Sequence, residues 1–276
     1  MTRLAVNGVH LEARLGGQGT PLLLLHGFTG LGTSWAPYLT TLRRSHRTIV
    51  VDLLGHGRSD APVNPSRYAI ERQADDLAEL SRAVGAPVAD VIGYSLGARI
   101  ALRLALDHPA AVRRLVLESP SAGIADDTER GRRRAADDAL AETIERDGVA
   151  SFVDRWEDQP LFASHAALTA AARRELRRQR LGHTPGGLAN TLRGAGQGSM
   201  APFVGRLSDV RVPTLVVVGN LDPVGRERAA VVAAGIPGAR LEIVEHAGHA
   251  PHLDRPAAFR RLVVAFLTGA PAPPTH

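Results

Sequence analysis

The pentapeptide Gly93-Tyr94-Ser95-Leu96-Gly97 follows a short apolar, β-branched run, Val88 to Ile92, and opens a segment in which Leu96, Ile100 and Leu104 recur every four residues until Asp107-His108-Pro109. The first pattern predicts a buried strand and the second a helix, which leaves the serine on a sharp strand-to-helix turn. Such a turn strains the backbone of its central residue, accepts only glycine-sized neighbours and pushes the hydroxyl out above the sheet. Ser95 is therefore the expected reactive residue.

The surrounding chain repeats the same alternation. Asn7-Gly8, between Leu4–Val6 and Val9–Leu15, predicts an opening hairpin. Short apolar runs then alternate with helix-length segments: Leu22–Leu25, Thr48–Val51, Val88–Ile92, Leu115–Leu117, Leu215–Val218 and Leu241–Val244. Runs without polar alternation suit strands buried on both faces, so an α/β fold with a mostly parallel central sheet flanked by helices is expected. From about Pro120 to Pro202 charged, alanine-rich helical stretches replace strands, and Pro213 marks the return. The expected organisation is a core from residues 1–119, a helical cap insertion over 120–202, a second part of the core over 203–268, and a disordered Pro- and Ala-rich tail over 269–276. A chain of 276 residues suits one such body with an insertion.

Composition narrows the function classes. With no cysteine there is no disulfide framework, thiolate nucleophile or cysteine-based metal site. The formal charge of +5 comes from arginines spread among 28 acidic residues, so a nucleic-acid partner is not expected. Two arginine concentrations stand out, Arg130 with Arg132 to Arg134, and Arg173, Arg174, Arg177, Arg178 and Arg180; taken alone, each fits a solvated helix face paired with acids. No leader pattern and no apolar stretch of membrane-spanning length is visible, which predicts a cytoplasmic protein without a membrane partner. Neither a metal-ligand cluster nor a dinucleotide glycine fingerprint is present, so no metal and no cofactor are expected. Oligomeric state, monomer or homo-oligomer, is left open.

A serine hydroxyl needs an imidazole to take its proton, and the imidazole needs a carboxylate to set its tautomer. Asp222, in Gly219-Asn220-Leu221-Asp222-Pro223, follows one predicted strand, and His249, in Glu245-His246-Ala247-Gly248-His249, follows the last. Glu118 is the alternative acid, and His246 and His252 are neighbouring imidazoles. The two oxyanion donors are expected from the backbone N–H groups of Phe28, in His26-Gly27-Phe28, and of Leu96. Asp52-Leu53-Leu54-Gly55-His56-Gly57-Arg58-Ser59 reads as a structural loop in which Asp52 and Arg58 tie segments together.

The order Ser95, Asp222, His249 and its strand-end placement resemble the α/β-hydrolase superfamily over residues 4–268. A narrower resemblance rests on His26-Gly27-Phe28-Thr29-Gly30, Gly93-Tyr94-Ser95-Leu96-Gly97-Ala98-Arg99, the arginine-rich cap start, Trp156 with Gln159-Pro160-Leu161-Phe162, and Gly194-Ala195-Gly196-Gln197. These look like the 2-succinyl-6-hydroxy-2,4-cyclohexadiene-1-carboxylate synthase family of menaquinone biosynthesis, lyases on a hydrolase fold that eliminate pyruvate from 2-succinyl-5-enolpyruvyl-6-hydroxy-3-cyclohexene-1-carboxylate. The resemblance implies that Ser95 acts as a base activated by His249 and Asp222. It further implies that Arg99, Arg133 and Arg180 bind carboxylates of a small polycarboxylate substrate, with Tyr94, Trp156 and Gln197 lining the same pocket. Arginine's planar fork suits carboxylates independently of the resemblance. Each arginine equally fits a helix-surface ion pair, and Trp156 equally fits cap core. After Asp222 this chain has Pro223-Val224-Gly225-Arg226 where many family members carry Lys-Phe, leaving Arg226 as the possible substitute. The alternative function is a serine hydrolase acting on esters or on carbon–carbon bonds of ring-fission products.

Overall fold

The computed structural model describes residues 2–269, so the expected disordered tail lies, apart from Gly269, outside the described residues. Asn7-Gly8 joins β1 (Thr2–Val6) to β2 (Val9–Gly16) with both turn residues at positive φ, as a two-residue hairpin requires. There follow β3 (Thr20–Leu25), α1 (Ala36–Leu42), β4 (His46–Val51), α2 (Ile70–Ala83), β5 (Ala89–Tyr94), α3 (Leu96–Asp107) and β6 (Val112–Glu118). Three helices, α4 (Asp127–Glu157), α5 (Ala170–Leu181) and α6 (Pro185–Ala195), occupy the connection to β7 (Thr214–Gly219), and α7 (Pro223–Gly235), β8 (Arg240–Val244), α8 (Pro251–Asp254) and α9 (Pro256–Thr268) complete the described chain.

The eight strands form one sheet in the order β1-β2-β4-β3-β5-β6-β7-β8. The pairs β1/β2 and β2/β4 are antiparallel and the rest parallel. Strand alternation explains why the apolar runs show no regular polar alternation. Leu23, Leu25, Val91, Leu115 and Val216 face a core closed by α2, α3 and α7, whereas Leu22, Leu24, Ile92, Val116 and Val217 face a second core closed by α1 and α9. Both faces are covered, so both registers are apolar. The exception is the edge strand β8, where Ile243 is exposed.

The inserted helices make a third apolar cluster. Ala141, Ile144, Phe152 and Val153 of α4 pack on Leu188, Ala189 and Leu192 of α6. The long α4 is not one rod, for Gly148 adopts φ 80° and ψ 168° inside it, a break that glycine tolerates because it lacks a side chain. Parallel strands share a direction, so the turns after β3, β5, β7 and β8 open at one sheet edge. That edge is where such folds hold ligands.

Candidate active site

Ser95 caps α3 with φ 50° and ψ −103°, a conformation that non-glycine residues rarely hold. Its glycine neighbours are sterically required: a β-carbon on Gly93 would lie 2.3 Å from the carbonyl oxygen of Gly97, and one on Gly97 2.5 Å from that of Leu25. Across the sheet edge, Asp222 caps α7 and accepts the Gly225 N–H at 2.8 Å through Oδ1. Its Oδ2 lies 2.6 Å from His249 Nδ1, and His249 Nε2 lies 3.0 Å from Ser95 Oγ. With the carboxylate ionised, Nδ1 must be the donor, which leaves Nε2 as the acceptor facing the serine hydroxyl. Burial pushes the Asp222 carboxyl up, but the hydrogen bond from His249, the charge of that imidazole and the Gly225 N–H outweigh burial and hold it below its usual value. Ser119, with φ 49°, donates its Oγ–H to the His249 carbonyl at 2.8 Å and anchors that backbone, a contact the sequence does not announce.

The alternative residues are occupied elsewhere. Glu118 is fully buried and accepts both the backbone N–H of His252 at 2.8 Å and its Nδ1 at 2.9 Å, so this acid and this imidazole pair with each other beneath the site. His246 is exposed in the turn after β8. Asp52 does tie loops, accepting the Gly32 N–H at 2.8 Å and the Arg58 N–H at 3.3 Å; at Arg58 the tie uses the backbone amide, and the side chain is exposed.

Among the described residues the N–H groups of Phe28 and Leu96 donate to no acceptor. The loop carrying Phe28 is held by a cluster of buried histidines. His26 donates Nδ1–H to the Gly27 carbonyl at 2.8 Å and accepts the Leu53 N–H at 3.0 Å. His56 accepts the Thr29 N–H at 3.3 Å, and His183, from the turn between α5 and α6, donates Nε2–H to the Thr29 carbonyl at 2.9 Å. The rings meet edge-on at 5.1 and 5.0 Å. Each of the three rings bonds in its neutral form. Burial drives His26 down to about 4, takes His56 well below its usual value and lowers His183. Sequence alone presents His26 and His56 only as members of the Phe28 and Asp52 loops and does not mark His183, because the latch exists only once the insertion folds back over the sheet edge.

A cavity of about 320 Å³ opens over Ser95 and His249, lined among others by Phe28, Leu96, Tyr94, Arg99, Arg133, Trp156 and Gln197. Arg99, one turn along α3, is buried and donates to the Ala195 carbonyl at 2.6 Å. Burial, with the charge of Arg133, lowers it to about 10, still protonated at neutral pH. Arg133 bonds Asp137 at 2.9 Å through Nε. Gln197 accepts from Ser121 at 3.0 Å, and burial raises the Tyr94 phenol well above its usual range. Trp156 both lines the cavity and packs in the cap, with its ring 5.4 Å from Phe28 and 5.3 Å from Phe152; Phe28 and Phe152 are 6.2 Å apart.

Arg180 does not line this cavity. It lies in an adjoining recess of about 40 Å³, held there by one bond from Nη1 to Glu157 at 2.9 Å and stacked 5.1 Å over Phe162. Arg226 is exposed and absent from the lining. The residue missed by sequence reasoning is Arg228, half-buried and part of the cavity wall with Val224 and Gly225. The spacing of Val224 and Arg228, one helical turn apart behind the Asp222 cap, is the signal that locates it.

Comparison with known proteins gives the family. Residues 20–256 match the family model described as alpha/beta hydrolase fold. The chain belongs to the α/β-hydrolase family. Within this α/β-hydrolase family, it is 40% identical over 247 residues, 90% of each chain, to a Bacillus subtilis (strain 168) protein provisionally named 2-succinyl-6-hydroxy-2,4-cyclohexadiene-1-carboxylate synthase. It is 32% identical to a Rhizobium rhizogenes protein provisionally named carbamate hydrolase RutD, over 89% of this chain and 92% of that one. Among solved structures, MenH from S. aureus superposes with a TM-score of 0.89 at 28% identity, covering 94% of this chain and 98% of that one.

Proposed function

We propose that this α/β-hydrolase is a lyase that eliminates pyruvate from 2-succinyl-5-enolpyruvyl-6-hydroxy-3-cyclohexene-1-carboxylate, giving 2-succinyl-6-hydroxy-2,4-cyclohexadiene-1-carboxylate. The observation that carries this reading is a serine–histidine–aspartate relay opening into a cavity walled by guanidinium groups. The 40% identity to the Bacillus subtilis relative supports it. His249 takes the Ser95 proton through Nε2 while Asp222 stabilises the imidazolium. Ser95 Oγ then removes the ring proton at C2, α to the succinyl carbonyl. Electrons of the broken C2–H bond form the C2–C3 double bond, the C3–C4 double bond moves to C4–C5, and the C5–O bond breaks. The departing enolpyruvate gains a proton and becomes pyruvate, so no water is consumed. Charge developing on the succinyl carbonyl oxygen falls to the free N–H groups of Phe28 and Leu96. Arg99 and Arg133 bind substrate carboxylates by charge-assisted hydrogen bonds.

The hydrolase reading uses the same relay, with Ser95 as nucleophile, and the RutD-like relatives favour it. A cavity for neutral esters has no use for buried arginines, which separates the two. Purified protein given the enolpyruvyl substrate should release pyruvate, followed through coupled reduction to lactate, while a panel of simple esters stays intact. Ester turnover without pyruvate release overturns the lyase assignment.

A further inference from the structure

We propose that Arg228, on α7 behind the Asp222 cap, is a third substrate-carboxylate clamp beside Arg99 and Arg133, taking the part expected of Arg180. This rests on the reading of the cavity as a polycarboxylate site. Arg180 is spoken for by Glu157, whereas Arg228 has no hydrogen-bond or ion-pair partner among the described residues although it forms part of the wall. Its planar fork has five N–H donors, and all are free for a ligand. Arg133 keeps its terminal amino groups available, since it meets Asp137 through Nε. Three guanidinium groups thus surround one cavity that holds a single carboxylate of its own lining, Asp222, already engaged by His249.

Such an arrangement is unfavourable while empty. A partly buried cation without a counter-ion loses hydration and recovers nothing, and like charges facing one another add repulsion. Burial and the charge of Arg133 lower Arg228, and Arg133 and Arg228 act in the same direction on Arg99, where the Asp137 carboxylate opposes them. Asp222 draws Arg228 the other way, but already serves the imidazole. Glu129 and Glu227 are within electrostatic range without forming a contact. A ligand bearing several carboxylates removes both penalties at once, and a neutral ligand removes neither. The arrangement also places this clamp on α7, six residues after Asp222, so the side chain enters from the core beside the relay while Arg133 enters from the insertion.

The test compares wild type with Arg228→Met, Arg228→Lys and Arg226→Ala. For Arg228→Met, kcat/KM for pyruvate release should fall roughly 10- to 100-fold, mostly through KM, the loss expected for charged hydrogen bonds. Arg228→Lys should recover part of it, since the charge remains without the fork. Arg226→Ala should match wild type. The melting temperature separates binding from structure: relieved of an unpaired cation, unliganded Arg228→Met should melt no lower than wild type, yet gain less stabilisation from propane-1,2,3-tricarboxylate. Unchanged KM, or equal stabilisation of both proteins by the tricarboxylate, or none of wild type, overturns the inference. Failure of wild type to release pyruvate overturns the lyase reading alone, because the tricarboxylate arm still reports on Arg228.

Discussion

Acidification should dismantle the latch under Phe28 before it reaches the carboxylates. His26 has an ordinary value of 6.5 and is driven by burial to about 4 in the folded protein. A group lowered on folding binds fewer protons folded than unfolded, so its contribution is complete above 6.5 and disappears as pH falls toward the folded value. For His26 alone that loss is about 3 kcal/mol by pH 4. His165, also driven to about 4 chiefly by burial, and His56, held well below its usual value, add to the same window. His26 and His165 alone give a slope of about 2–3 kcal/mol per pH unit near pH 5, His56 acts in the same direction, and small domains are stable by only about 5–15 kcal/mol. Urea unfolding followed by tryptophan fluorescence at steps from pH 7.5 to 4 should therefore show stability flat above 6.5 and collapsing below it. A free energy that stays level down to pH 4.5 refutes the argument, since it would mean these rings are protonated inside the fold at no cost.

Ser95→Ala should reduce pyruvate release by at least about 10³-fold while leaving the melting temperature within a degree or two, read by a coupled assay and thermal denaturation. Asp222→Asn should lower kcat by roughly 10³- to 10⁴-fold through loss of the correct imidazole tautomer, and retention of more than a tenth of the activity would remove Asp222 from the relay. Phe152→Ala, deleting a ring that is 1% exposed and packed on Phe28 and Trp156, should cost about 3–5 kcal/mol in chemical denaturation. Gly97→Ala places a methyl 2.5 Å from the Leu25 carbonyl oxygen and should abolish soluble expression or activity, measured by yield and turnover.

Much of the architecture was visible in local pattern. The runs at Leu22–Leu25 and Leu215–Val218 name central strands because both faces are covered, and the turn around Ser95 is legible because its glycine spacing is local, although only Gly93 answers a demand inside the segment and Gly97 answers one from the end of β3. The arginines resisted the same treatment. Arg180 lies on the expected helix, yet which partner its fork takes depends on Glu157, 23 residues earlier, arriving at the end of a helix broken at Gly148. Arg226 and Arg228 differ by two positions, which on a helix is nearly the opposite face, so a register argument without the Asp222 cap selects the wrong one. The histidine latch joins positions 26, 56 and 183, and no spacing rule connects residues that distant.

Phe28 belongs to two bodies at once: its amide lies in the turn beneath the reacting atoms, and its ring is wedged against two aromatic side chains of the covering helices. The covering helices are thus geared to the turn that carries this amide instead of merely resting above it. Any movement of the covering helices therefore carries this one ring with it, and with the ring the backbone amide next to Ser95.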